Sequence, residues 1–210
     1  MWPEARCTLE QMRTRHRGSA AAALCVAALL TTLLAACTGG KNAVDQNANG
    51  QYRYVQSTTR GSVIPVDKRK AAGDFNGPLL PGDGAYALKQ DAGNVVVLSY
   101  FASWCGPCQT ETPQLDALYR QRKASGTKFV GIDVKDPSKS AAQSWVQDKA
   151  LTFPIVYDQT GKTALELGNI PTQIPMSVVI DKQGRVAAVY FGSTLPADLT
   201  PVLDTLAKEV

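Results

Sequence analysis

The sequence predicts an α/β fold, a central mixed sheet flanked by helices, and three stretches predict it. Val95-Val96-Val97-Leu98-Ser99-Tyr100-Phe101 is a short, nearly continuous apolar run, the pattern of a strand buried on both faces. Thr127–Val134 is a second such strand, and the helical pattern between the two makes a right-handed crossover that leaves them parallel. Met176–Ile180 and Arg185–Tyr190 flank the turn Asp181-Lys182-Gln183-Gly184 and predict an antiparallel hairpin. A last helix from about Ala197 places Leu199, Val202, Leu203 and Leu206 at i, i+3, i+4 and i+7, one apolar face for that sheet.

Taken in order, residues 1–36 read as a secretory signal peptide. Met1–Arg17 is polar and basic, and Ala20–Ala36 is dominated by Ala and Leu. That 17-residue run is at the short limit for a membrane span, so a retained signal-anchor helix is the alternative. Leu34-Ala35-Ala36-Cys37 ends the run and resembles a bacterial lipobox, which implies lipidation of Cys37 as the new N-terminus. Each buried CH₂ contributes ~0.8 kcal/mol, so two or more acyl chains hold a protein stably on a membrane. The block 37–70 then reads as a flexible tether, rich in Gly, Asn, Gln and Ser up to about Gly61. About 25 such residues span ~25–30 Å on average. Tyr52-Arg53-Tyr54-Val55 alternates weakly and is a candidate edge strand.

Residues 71–210 carry the folded domain. Pro78-Leu79-Leu80 and Ala85-Tyr86-Ala87-Leu88 flank Pro81-Gly82-Asp83-Gly84, strong turn chemistry, and predict a hairpin. The helix after Phe101 is expected from about Cys105 to Ser125, bent at Pro113 and stopped by Gly126. Asp136-Pro137-Ser138 starts a helix over Lys139–Ala150, with Ala142, Trp145 and Val146 on one face. Pro154–Tyr157 is a short strand, and Thr163–Leu167 a short helix ended by Gly168-Asn169.

Composition excludes several classes of function. The chain carries 22 Lys and Arg against 18 Asp and Glu; the first 36 residues take four of the former and two of the latter, leaving a balance of +2. No basic cluster with interleaved aromatics stands out, so nucleic acid is not an expected partner. Of five cysteines, Cys7, Cys25 and Cys37 lie in or at the end of the leader, and the single histidine, His16, lies there too. Cys105 and Cys108 remain, too few for a disulfide framework or, without histidine, for tetrahedral zinc. No metal and no cofactor are expected.

Trp104-Cys105-Gly106-Pro107-Cys108 sits where the first buried strand hands over to its helix. Thiols there meet unpaired backbone N–H groups and the positive end of the helix dipole. Both favour thiolate, the reactive form. Cys105, first of the pair and expected to be partly exposed, is the candidate nucleophile, and Cys108 the candidate resolving thiol. An inert bridge is the plain alternative. Glu111, three residues after Cys108, shares its helix face and can exchange a proton with it if burial raises its pKa. An ordinary first-turn glutamate is the other reading of that residue.

Trp104 to Cys108 resembles the WCGPC active site of thioredoxin-fold oxidoreductases, and the region from about Gly73 to Val210 looks like their extracytoplasmic TlpA/ResA branch. The resemblance implies a thioredoxin-like fold with an added N-terminal hairpin and a helical insertion in the middle. It implies that Gly106-Pro107 tunes the redox potential, and that Trp104 flanks a partner groove instead of only filling core. Thioredoxin places an aspartate at the position of Ser99; serine cannot supply a carboxylate, which shifts the proton-relay role to Glu111, an acid at the spacing the TlpA/ResA group carries. Pro175, preceded by Ile174, aligns with the family's cis-proline, whose preceding backbone pairs with an extended substrate; Pro171 competes for that role.

The function these residues imply is a membrane-tethered, extracytoplasmic, monomeric thiol–disulfide oxidoreductase. It would reduce protein disulfides, with apocytochrome c CxxCH thiols as one client, and draw electrons from a membrane thiol reductase. The same dithiol suits a disulfide-forming oxidase. A peroxidase of the peroxiredoxin kind lacks its Pro-x-x-x-Thr/Ser-x-x-Cys signature ahead of either cysteine. A binding lipoprotein on the same fold is the non-enzymatic alternative, against which two intact cysteines argue.

Overall fold

The computed structural model describes residues 57–209. The leader, Cys37 and the candidate strand 52–55 lie outside them. The described chain runs β1 (Asn76–Leu80), β2 (Ala85–Ala87), β3 (Val95–Phe101), α1 (Gly106–Arg122), β4 (Thr127–Val134), α2 (Lys139–Asp148), β5 (Ile155–Asp158), α3 (Lys162–Gly168), β6 (Met176–Ile180), β7 (Val186–Phe191) and α4 (Pro196–Lys208). The strands form one sheet in the order β2-β1-β5-β4-β3-β6-β7. β3, β4 and β5 are parallel, as the crossovers require, while β6, β7, β1 and β2 enter antiparallel. No described helix is long and apolar enough to cross a membrane.

Side-chain alternation along β3 explains the two-sided core. Val95, Val97 and Phe101 face one layer with Leu115 and Leu118 of α1, Ala142 and Val146 of α2, and Leu199, Val202, Leu203 and Leu206 of α4. Val96, Leu98 and Tyr100 face the other, with Phe75, Tyr86 and Ala164 and Leu167 of α3. Cys105 and Cys108 belong to the first layer. Gly131 lets that layer close over β4: a Cβ there would lie 2.8 Å from the rings of both Phe101 and Phe153.

Several boundaries differ from expectation for local reasons. α1 continues through Pro113 and ends at Arg122; a 3-10 turn over Lys123–Ser125 then meets Gly126, whose φ of 79° reverses the chain. Leu88 leaves the hairpin and opens a 3-10 turn over Leu88–Asp91. α2 begins at Lys139 as expected, capped by Ser138, which accepts the Ala141 N–H, but ends at Asp148, two residues before Ala150.

Residues 57–72, most of which composition groups with the tether, run as a strap along the free edge of β7. Thr58 N–H donates to Val189 O, Ile64 N–H to Ala187 O and Ala72 N–H to Gly184 O. Thr58 Oγ1 accepts the Val189 N–H at 2.7 Å, and the Tyr190 hydroxyl donates to Ser62 O at 2.5 Å. Buried Arg69 joins the strap to Asp181 and to Glu209 beyond α4. The strap covers backbone groups that an edge strand would otherwise leave open to foreign pairing.

Candidate active site

The cysteine pair is placed by the end of β3 and the start of α1. The sulfurs of Cys105 and Cys108 form a disulfide with an S–S distance of 2.02 Å. Cys105 is the N-cap residue of α1, and its Sγ accepts the Cys108 N–H at 3.3 Å. One of the four unpaired donors of the helix start therefore points at this sulfur, which favours its anionic form when the bond opens. Gly106 and Pro107 fill the first turn and are exposed. Proline costs nothing there, since that turn has no intrahelical partner for its missing N–H. Cys105 keeps 6% of its surface accessible, less than the partial exposure expected, and Cys108 is fully buried.

Trp104 is 56% exposed, so it is not core. Its indole Nε1–H donates to Lys135 O at 3.1 Å, which holds the ring beside the cysteine turn. β6 runs antiparallel to β3 and pairs Met176 with Tyr100, so the residues before Met176 reach the same sheet end as the disulfide. The peptide bond between Ile174 and Pro175 is cis, whereas the bond before Pro171 is not. Pro175 O accepts the Gly192 N–H, and half-buried Ile174 packs against the layer that holds both cysteines.

Glu111 lies one turn past Cys108 and is 2% exposed. Neither carboxyl oxygen has a hydrogen-bond partner. Burial pushes this carboxyl up to about 7. The Thr194 amide, the Ser193 side chain and the Arg60 guanidinium pull the other way, and Asp198 adds to the rise. Thr194 and Ser193 face the carboxyl without forming a hydrogen bond of acceptable geometry.

Two acidic residues join the site beyond those the sequence singles out. Asp136 accepts the Ser103 backbone N–H at 3.0 Å and the Ser103 hydroxyl at 2.5 Å, latching the turn before Cys105 to the β4–α2 loop. Asp133, in β4, is fully buried with both oxygens unpartnered. Burial, with Asp136 adding, pushes it up to about 9, so it is protonated at neutral pH. The signal for Asp133 was present: it interrupts an otherwise apolar strand on the parity of Phe129 and Gly131. Asp136 gave no separate signal, because Asp-Pro-Ser reads equally well as a helix start. Cys37 lies outside the described residues.

The geometry permits one cycle of dithiol chemistry. A capped, marginally accessible sulfur can be attacked or can attack, a buried sulfur can close the bond, and a buried carboxyl of matched pKa can take or return a proton.

Comparison with known proteins places this geometry. The family model described as "AhpC/TSA family" matches residues 69–189. The thiol-disulfide oxidoreductase ResA of Bacillus thuringiensis is 34% identical over 99 residues, covering 47% of this chain and 56% of that protein. That of Geobacillus kaustophilus is 29% identical over 161 residues, 76% of this chain and 88% of the relative. The chain thus spans little more than half the length of the first of these curated relatives. Among solved structures, a DsbF homologue from Corynebacterium diphtheriae superposes with a TM-score of 0.66 at 32% identity, over 73% of this chain and 99% of the other. A secreted thiol-disulfide isomerase from Corynebacterium glutamicum gives a TM-score of 0.66 at 32% identity, over 70% and 91%.

Proposed function

The chain belongs to the AhpC/TSA family, within it to the TlpA/ResA type, and on that premise we propose that it is an extracytoplasmic thiol–disulfide oxidoreductase that reduces protein disulfides. The observation that carries this reading is the Cys105–Cys108 disulfide at the entrance of α1, with Cys105 Sγ on the Cys108 N–H. In the reduced enzyme the Cys105 thiolate attacks one sulfur of a client disulfide, forming a mixed disulfide and releasing the first client thiolate. Cys108 loses its proton to the Glu111 carboxylate and attacks Cys105 Sγ. The second client thiolate leaves, and the Cys105–Cys108 bond forms. The client gains two electrons, the enzyme loses two, and the structure corresponds to the enzyme after that transfer.

On this reading Trp104, Gly106, Pro107, Ile174 and Pro175 line the client groove. Among the described residues the backbone of Ile174 makes no backbone–backbone hydrogen bond, which leaves it open to an extended client. Lipidation at Cys37 would anchor a monomer to the membrane, a membrane thiol reductase would return it to the dithiol, and CxxCH thiols of apocytochrome c are the proposed client.

The reduction potential tests the direction of transfer. Equilibration of full-length protein against a thiol buffer is expected to give a value near or below ~−270 mV, the thioredoxin end of the scale. A value near ~−120 mV would assign it to disulfide formation instead.

A further inference from the structure

We propose that the end of the sheet opposite the disulfide carries a second binding site, a preformed pocket that takes a small organic ammonium ion with an apolar body about one aromatic ring in size. The pocket has a volume of about 180 Å³. An apolar cavity of ~150 Å³ takes benzene, so one ring fits and a helix or strand of a partner protein does not. It lies where β3 begins and β6 ends, and Val96 and Ile180, which pair across those strands, line it. Phe101, at the cysteine end of β3, is about 17 Å of strand away from Val96. Three segments remote in sequence meet around the opening. The end of the strap supplies Ala72 and Asp74, the 3-10 turn after β2 supplies Leu88, Asp91 and Ala92, and the β6–β7 turn closes the third side at Gly184. Backbone bonds fix all three: Ala72 N–H donates to Gly184 O, Leu88 N–H to Phe75 O and Asn94 N–H to Asp91 O. Asp74 Oδ1 accepts the Lys89 N–H at 3.3 Å. The pocket is therefore built before a ligand arrives, which spares the ligand the cost of ordering it. A Cβ at Gly93 or Gly184 would meet nothing within 4 Å, so that side is open to solvent.

The walls hold the ring, and the charges select its substituent. Ala72, Leu88, Val96 and Ile180 present carbon, while Asp74, Lys89 and Asp91 add the charges beside it. Asp74 and Lys89 are exposed and Asp91 is half-buried. Asp91 Oδ2 accepts the Tyr86 hydroxyl at 2.9 Å. Burial holds that hydroxyl well above the ordinary phenol range, and Asp91 and Asp74 both add to the rise, so the two carboxylates act on one place. Among the described residues neither carboxylate forms an ion pair, with Lys89 or with any other cation. Asp181, the third acid of the lining, is already engaged by Arg69 and Arg185. Two uncompensated carboxylates against one ammonium leave the opening negative, which favours a monocation over a neutral or anionic molecule of the same shape.

The test is a titration of the full-length oxidised protein with benzylammonium, benzyl alcohol and benzoate at low salt, followed by amide NMR. Benzylammonium is expected to move the Leu88, Ala92 and Val96 signals saturably, with a Kd on the order of 1 mM, as its few non-hydrogen atoms allow. Benzyl alcohol should bind about fivefold more weakly, and benzoate more weakly still. The double variant Asp74→Asn, Asp91→Asn keeps an acceptor for the Lys89 N–H and for the Tyr86 hydroxyl, and should bring benzylammonium down to the level of benzyl alcohol. Ala92→Leu fills the pocket from its exposed rim and should abolish binding of all three. No saturable shift in the parent, equal affinity for the amine and the alcohol, or binding that survives Ala92→Leu would overturn the proposal. No thiol takes part, so failure here leaves the reductase reading standing, and failure of that reading leaves this one.

Discussion

On the proposed mechanism, catalysis and stability make opposite demands on the Glu111 carboxyl. Its folded-state value, about 7, lies above that of an unfolded glutamate near ~4.3, so the native protein holds the proton more tightly than the unfolded chain. No penalty exists below the unfolded value. It grows as pH rises through the window between the two and is complete above the folded one, on the order of 3 kcal/mol. Glu111→Gln should therefore be more stable than the parent at pH 8 and converge with it near pH 4, as read by urea midpoints of the oxidised forms. The same variant should lose roughly 10²-fold or more in client reduction, and with it the rise in rate through neutral pH. Equal urea midpoints at pH 8 would contradict the burial cost, and an unchanged pH–rate profile would contradict the proton role. The spacing from Cys108 made Glu111 a candidate in the sequence. Its burial was not legible there, because residues that act on it, Thr194 and Asp198, lie more than 80 residues away in the chain.

Among the elements, the turn before the cysteines is held from β4 and not from its own strand. Asp136 grips Ser103, and Lys135 O receives the Trp104 indole. Asp136→Ala removes a charge-assisted bond to the Ser103 amide, a type of interaction that contributes about 1.5 kcal/mol or more. Hydrogen exchange should report at least a tenfold loss of protection at Ser103, with the α2 amides unaffected because Ser138 caps that helix. Unchanged protection at Ser103 would mean the latch is incidental. β3, β6, β7 and α4 were legible because apolar residues dominate their periods, and β4 was legible despite Asp133. The ends of α1 and α2 were less so: at Asp136 local helix-start chemistry and a long-range latch ask for the same residue, and only the fold chooses between them. The strap was missed for a related reason. Its backbone bonds to β7 use no side-chain pattern, and its polar composition matches a linker.

Across the whole molecule, α1, α2 and α4 share one core layer with the disulfide, and the strap, the β6–β7 turn and the C-terminal residues meet at Arg69. Asp181 and Arg69 are both nearly fully buried, so this junction excludes water on both sides of its ion pair. A rigid frame of this kind leaves the cysteine turn, Trp104 and the start of β6 as the face on which exchange can occur. The disulfide's presence was legible from spacing alone; its near-complete enclosure by the α1 layer was not. Whether Cys105 is the attacking sulfur is decided by trapping. Full-length Cys108→Ala, reduced and mixed with an oxidised CxxCH peptide, should accumulate a mixed disulfide that mass spectrometry maps to Cys105, while Cys105→Ala accumulates none. A bond mapped to any other cysteine, or peptide reduction that persists in both variants, would contradict the proposed exchange.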